Sequence, residues 1–156
     1  PWFPLIFACC AGAMAVASWT NSRIVERFGA RRVSHTGLFL FLGVAALQLI
    51  VATMTEETLW TFVPLMAANM MLLGFIGANF GSIAMQPFRE TAGAAASAQT
   101  FVRMVTAALI GAGIGYAYNG TAIPLATALF CGALICIGLV LFAERGKLFG
   151  PPVDED

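Results

Sequence analysis

The chain has 156 residues, of which 60% are hydrophobic and only 10% are charged, and its mean hydropathy is +0.86. A water-soluble domain usually carries about 25% charged residues, so this composition excludes an ordinary soluble protein and favours one that lies in a bilayer. The net charge is zero and no cluster interleaves basic with aromatic residues, which argues against a nucleic-acid partner.

Five apolar stretches follow one another along the chain. Each approaches or exceeds the ~20 residues that a helix needs to cross ~30 Å of hydrocarbon, and each is far longer than the ~10-residue strand of a membrane barrel. Only helices and closed barrels satisfy their backbone groups in lipid. The sequence therefore predicts an all-α polytopic membrane protein whose five transmembrane helices span residues 3–22, 33–54, 59–83, 92–118 and 122–143.

The basic residues lie in alternate gaps between these stretches, and this pattern predicts an orientation. The gaps after the first, third and fifth stretches hold Arg23, Arg27, Arg31, Arg32, Arg89, Arg145 and Lys147. Lys and Arg are in excess in short cytoplasmic loops, so we expect residues 23–32, residues 84–91 and a disordered tail at 150–156 in the cytoplasm. The N-terminus is then outside, which favours a fragment whose earlier spans are missing.

The remaining basic residue, Arg103, lies inside the fourth stretch, about 16 Å from its start at 1.5 Å per residue. Gln99 and Thr106 share its helix face. A charge near the bilayer centre costs roughly 2.5 to 3.5 kcal/mol on insertion scales, so it needs water or a partner. We expect Arg103 to line a substrate cavity, and the alternative is an arginine tied to helix carbonyls at a packing interface.

The third stretch carries further polar side chains. Asn79 and Gln86 are seven residues apart and nearly in phase on a helix, so we also place them on the cavity side. Asn69 is as readily explained by interhelical hydrogen bonding. His35 lies at the predicted cytoplasmic edge of the second stretch, where we expect it to be solvated, and Gln48 is given no role.

Catalytic and metal-binding patterns are missing from the sequence. The one histidine lies at a predicted membrane surface, no lysine lies in a span, and no aspartate precedes the tail. We read the four cysteines, Cys9, Cys10, Cys131 and Cys136, as small lipophilic core residues. We therefore expect neither an enzyme nor a bound metal or cofactor.

The segment at residues 21–32 is the most specific part of the sequence. It ends one helix, turns tightly at Gly29 and starts the next, and its arginines lie at the membrane surface. Glu26 could pair with nearby arginines in a charge lattice that locks two helices and breaks when they move. On charge alone, a purely topological role for these arginines is equally open.

This segment resembles a loop of the major facilitator superfamily, the second copy of its Gly-x-x-x-Asp-Arg-x-Gly-Arg-Arg motif, between helices eight and nine. Glu26 replaces the Asp and is followed by Arg27, Gly29, Arg31 and Arg32, of which the first three fall on motif positions. Asn21 lies next to the position where the motif starts with Gly. Similarity to the drug/proton antiporter branch, in its bicyclomycin and chloramphenicol resistance subfamily, extends over residues 79–81, 84–87, 92–95, 107–111, 119–121, 124–125 and 143–149.

The resemblance implies that the chain supplies helices eight to twelve, most of a C-terminal six-helix bundle at residues 1–149, with the N-terminal half missing. It implies a multidrug exporter of the bacterial inner membrane that exchanges a small-molecule drug for protons. Relatives often carry Glu at the position of Gln86. The alternatives are an exporter of a sugar, amino acid or siderophore-like metabolite, and a non-transporting membrane protein. Arg23, Glu26, Arg27, Gly29, Arg31 and Arg32 would form the cytoplasmic gate.

Overall fold

The computed structural model describes residues 3–54, 58–88 and 90–144, and these contain five helices and no strand. The helices are α1 (Phe3–Phe28), α2 (Ala30–Met54), α3 (Leu59–Met85), α4 (Ala92–Tyr116) and α5 (Ile123–Ala143), with a short 3-10 turn at Gln86–Phe88 after α3. Arg89, Arg145, Lys147 and the predicted tail at 150–156 lie outside the described residues.

Four of these helices are long and apolar enough to cross a membrane: α2, α3 with its 3-10 turn, α4 and α5. The all-α class predicted from the sequence is confirmed, and the helices are those of a membrane-embedded protein. The 26-residue α1 carries the first predicted span, but the side chains at residues 3, 6, 7, 9, 10, 13 and 14 are not among those described. The span predicted at residues 3–22 and the orientation of the chain stay predictions.

The connection between α1 and α2 differs from the predicted span boundaries. α1 continues six residues beyond Ser22 to Phe28, and α2 already begins at Ala30, so most of the charged segment is helical. Loss of hydropathy marks where the chain leaves the apolar layer, whereas a helix continues until a residue breaks it. That residue is Gly29, whose φ of 81° lies in the left-handed region that suits glycine.

Four helices pack into one bundle in which α2 and α3 are the central pair. α1 packs against α3 and more lightly against α2, and α5 packs against α2. Leu38 and Phe41 of α2 meet Ile76 of α3 and Ala133 of α5 in one buried cluster. A second cluster joins Ala17, Val33 and Phe75 of α1, α2 and α3.

The fourth helix lies outside this bundle. α4 contacts α3 and α5 only sparsely, and none of its residues is buried. Its C-terminal end is connected to α5 by a turn in which the Asn119 side chain accepts hydrogen bonds from the Thr121 backbone N–H and hydroxyl. An apolar helix of 25 residues is thus left uncovered within the described part of the chain.

Candidate functional site

The polar face of α4 carries Arg103 at its centre. Arg103 is the twelfth of the 25 residues of α4, and its side chain is exposed, as are those of Gln99 and Thr106. At about 100° per residue, Gln99 lies roughly 40° and Thr106 roughly 60° from Arg103 around the helix. The three side chains therefore form one accessible polar stripe on an otherwise apolar helix.

A cleft shows which way this face of α4 is turned. Ile114 lies 11 residues after Arg103, roughly 20° away around the helix at 3.6 residues per turn. Ile114 is half-buried and lines a cleft of about 750 Å³ with Leu59 and Phe62 of α3 and with Tyr118. At Ile114, about three turns beyond Arg103, this face of α4 therefore borders a cleft that it shares with α3.

Asn79 does not join this stripe, because it is engaged inside the bundle. Its side chain is 3% exposed and forms a reciprocal amide pair with Asn21 of α1. The Asn79 Nδ2 donates to Asn21 Oδ1 over 2.8 Å, and Asn21 Nδ2 donates to Asn79 Oδ1 over 3.1 Å. The pair satisfies one donor and one acceptor on each side chain, so it fastens α1 to α3.

Gln86 is separated from Asn79 in environment as well as in position. It caps the C-terminal end of α3 and begins the 3-10 turn that contains Pro87, and its side chain is exposed. Although the two residues were predicted to lie on the same face of one helix, they do not form a shared site. Asn79 lies between helices, whereas Gln86 lies at the end of the bundle.

A second buried amide contact joins α2 to α3. Asn69 Nδ2 donates to Gln48 Oε1, and both side chains are fully or almost fully buried. The Gln48 amide also approaches the Met66 sulfur at 4.0 Å. The Asn69 Oδ1 atom has no hydrogen-bond partner among the described residues. This arrangement agrees with the interhelical role considered for Asn69, and it gives Gln48 a role that the sequence did not suggest.

At the α1–α2 corner, an ion pair fastens the start of α2 to the end of α5. Arg31 donates through one guanidinium nitrogen to Glu144 Oε2 at 3.4 Å. The Arg31 side chain is 27% exposed and the Glu144 side chain is 18% exposed, so the pair is partly shielded from water. It joins residues 113 positions apart and is the one ion pair that the described residues form.

The other charged residues of this corner are held differently. Arg23 lies over the Trp19 ring at 5.9 Å, and Arg27 lies over the Phe28 ring at 5.5 Å. Glu26 and Arg32 are exposed and form no ion pair with a described residue. The expected pairing of Glu26 with neighbouring arginines is thus not what the structure has, and Arg31 pairs with Glu144 at the end of α5.

The expectation of a solvated His35 is wrong. Its side chain is 1% exposed, and its ring centroid lies 6.3 Å from that of Phe80 on α3. His35 is the sixth residue of α2, and α3 and α5 pack closely against that helix end. The extension of α1 and α2 toward Gly29 therefore places His35 within the bundle.

No known protein family, curated protein or solved structure matches this chain. The site's own geometry therefore has to support any functional conclusion.

The described residues contain no group of three His, Cys, Asp or Glu side chains that could hold a metal ion. Cys131 and Cys136 are exposed on α5, which corrects the expectation that they are core residues. α5 is apolar on all sides, and its sequence therefore does not show which face is buried. The stripe formed by Arg103, Gln99 and Thr106 offers a positive charge and hydrogen-bonding groups.

Three residues that hold the helices together were not predicted in these roles: Asn21, Gln48 and Glu144. A polar residue within an apolar span signals an interhelical contact, and this signal was available for Gln48. The sequence associates Asn21 only with the loop motif, and Glu144 only with the stretch at 143–149 that resembles the antiporter branch. Pairing partners far apart in sequence are invisible until the helices are packed.

Proposed function

We propose that this chain forms helices eight to twelve of a major facilitator carrier in the bacterial inner membrane, which exports a small drug or metabolite in exchange for protons. The proposal rests chiefly on Arg103, exposed at the centre of an apolar helix. A guanidinium at that depth is stable only beside water, a counter-charge or bound substrate.

The polar stripe supports an aqueous path along α4. Gln99 and Thr106 extend the hydrogen-bonding capacity of Arg103 by about one turn in each direction. Side chains of this type would be costly against lipid tails but favourable along a water-filled cavity. In secondary transporters, substrate sites lie near the bilayer midplane, which is the depth that Arg103 occupies on α4.

The loose attachment of α4 also supports a carrier. A helix with no buried residue, beside a tightly packed group of four, has a large surface available to further helices. In the proposed protein, the N-terminal half would cover part of this surface and leave the Arg103 face open to the substrate path. Alternating access would then rock one half against the other.

The corner near Gly29 supplies contacts suited to a cytoplasmic gate. The Arg31–Glu144 pair is partly exposed and joins two helices, so rotation of its side chains would break it while the buried cluster of α2 and α5 stays packed. An exposed ion pair contributes about 0 to 1 kcal/mol, which is small enough to be exchanged during a transport cycle.

The decisive experiment measures efflux. The full-length gene of the proposed twelve-helix carrier would be expressed in an efflux-deficient bacterium, and proton-driven drug uptake would be followed in everted membrane vesicles across a panel of antibiotics. We expect Arg103→Ala to reduce transport by at least about tenfold, which corresponds to the loss of about 1.4 kcal/mol of substrate interaction. Arg103→Lys should retain part of the activity because it keeps the charge.

The matched control is Met104→Ala, one residue further along α4 and also exposed. It should leave transport unchanged, and the amounts of all three variants in the membrane should equal that of the wild type. Unaltered transport in Arg103→Ala would return Arg103 to a packing role. Absence of proton-driven transport for every compound in the wild type would contradict the proposed function itself.

A further inference from the structure

A second opening in the bundle lies far from α4. It is a groove of about 480 Å³ between the end of α1, the beginning of α2 and the middle of α3. Its walls are almost wholly apolar, and the lining includes Ile24, Phe28, Val33, Leu40, Met71 and Phe75. The groove is open at the side, so it faces the surroundings of the bundle.

One end of the groove carries a cation. Arg32 lines the groove, is exposed and forms no ion pair with a described residue. It differs in this respect from its neighbour Arg31, whose guanidinium is bound to Glu144. An apolar channel that ends at an arginine without a counter-charge is complementary to a molecule with a hydrocarbon tail and an anionic head.

The dimensions of the groove fit one leaflet of a bilayer. Along α2, the lining runs from Arg32 to Leu40, which is eight residues or about 12 Å at 1.5 Å per residue. Half of a ~30 Å hydrocarbon layer is about 15 Å. Because Arg32 is the third residue of a membrane-spanning helix, it lies where lipid headgroups are found.

We propose that this groove binds an anionic phospholipid, with an acyl chain between α1, α2 and α3 and the phosphate at Arg32. Basic sites between transmembrane helices at the cytoplasmic side are suited to anionic headgroups. A bound lipid would contact all three helices where α1 meets α2, and α1 packs less closely against α2 than against α3. The inference does not depend on the proposed transport function.

The test compares two lipids that differ only in headgroup. The purified chain in detergent would be titrated with palmitoyl-oleoyl phosphatidylglycerol or phosphatidylcholine, and bound lipid would be counted by native mass spectrometry. We expect tighter binding of phosphatidylglycerol and a loss of about fivefold in Arg32→Gln, the effect of one basic residue near an anionic lipid. Arg32→Lys should retain most of the preference.

Two further variants distinguish lipid binding in the groove from non-specific electrostatic or hydrophobic binding elsewhere on the protein. Arg23 is also an exposed cation of this corner, but it does not line the groove, so Arg23→Gln should change lipid preference little. Thr36→Trp fills the groove from an exposed position and should weaken binding of both lipids. Circular dichroism would verify that each variant keeps its helix content.

Three results would overturn the proposal. They are equal binding of the two lipids by the wild type, equal effects of Arg32→Gln and Arg23→Gln, and unchanged binding in Thr36→Trp. The first would show that the protein does not recognise the headgroup charge. The second would show that all the basic residues of the corner recognise it together, and not Arg32 specifically. The third would show that the groove is empty of lipid, as it would be if a polypeptide segment covered it.

Discussion

Individual polar side chains in this protein follow two patterns according to whether they can find a partner within the bundle. Asparagine and glutamine can donate and accept at once, so Asn21 and Asn79 satisfy each other in a reciprocal pair. Arginine only donates, and Arg103 has no such complement on α4. Asn21 and Asn79 are therefore buried, whereas Arg103 stays exposed.

The reciprocal amide pair should be measurable as a coupling energy. We expect Asn21→Ala and Asn79→Ala to show a coupling of about 1 kcal/mol in a double-mutant cycle, because interhelical hydrogen bonds in membranes average ~0.6 kcal/mol and reach ~1.7 kcal/mol. The measurement is denaturant-induced unfolding of the purified protein in micelles.

Ser22 provides the control for this cycle. It neighbours Asn21, but its hydroxyl donates within its own helix, to the Trp19 carbonyl at 2.7 Å. The coupling between Ser22→Ala and Asn79→Ala should therefore be close to zero. If the two cycles gave the same coupling, the Asn21–Asn79 pair would contribute nothing specific to the free energy of unfolding.

At the scale of the elements, the α1–α2 corner depends on one backbone conformation. Gly29 has a φ of 81°, and an added Cβ would meet nothing within 4 Å, so any penalty for a side chain comes from the backbone alone. Left-handed conformations cost non-glycine residues roughly 1 to 2 kcal/mol.

The same substitution at two glycines should therefore have opposite effects. We expect Gly29→Ala to lower the free energy of unfolding by about 1 to 2 kcal/mol. Gly43 lies within α2, where an added Cβ also meets nothing, so Gly43→Ala should raise that free energy by up to about 1 kcal/mol. Gly29→Asn should cost less than Gly29→Ala, and equal costs would contradict the conformational explanation.

The ion pair between Arg31 of α2 and Glu144 at the end of α5 leads to a separate prediction. Arg31→Glu should destabilise the protein by about 1 kcal/mol, because it sets a second carboxylate against Glu144. Adding Glu144→Arg should restore stability by reversing the pair. Thermal unfolding in micelles at low and high salt would measure both effects, and both should shrink as salt screens the charges.

Arg32 serves as the control for charge reversal. It is adjacent to Arg31 in sequence but forms no ion pair with a described residue. Adding Glu144→Arg to Arg32→Glu should therefore not restore stability. A rescue of the same size in both backgrounds would mean that the corner responds to total charge and not to a specific contact.

At the scale of the whole molecule, the main feature is the contrast between four packed helices and one exposed helix. α4 is as long as its neighbours but buries none of its residues, so its environment in the membrane decides what it does. The proposed carrier requires one face of α4 to be wet and another to meet lipid or protein.

Water access along α4 can be measured with cysteine variants. In a background that lacks Cys9, Cys10, Cys131 and Cys136, we expect Thr106→Cys to react with a charged, membrane-impermeant thiol reagent and Val105→Cys to resist it. Thr106 shares the Arg103 face, whereas Val105 lies roughly 200° from Arg103 around the helix. Equal reactivity at the two positions would exclude a single wet face on α4.

The class of this protein follows from the sequence alone, because hydropathy and helix length are local properties. Long apolar stretches separated by short gaps can only be helices in a bilayer, and four of those predicted are long and apolar enough in the structure. The sequence also marks Arg103 as unusual, since a charge inside an apolar stretch is visible without coordinates.

Which polar side chains are paired and which are available for other contacts depends on how the helices pack. Asn79, placed beside Arg103 by the sequence, is paired with a residue 58 positions away, and Arg31 pairs with Glu144 across 113. His35 is buried where the local sequence predicted water. The physical reason is that hydrogen bonds and ion pairs join different helices, and helix packing depends on contacts that no single stretch of sequence contains.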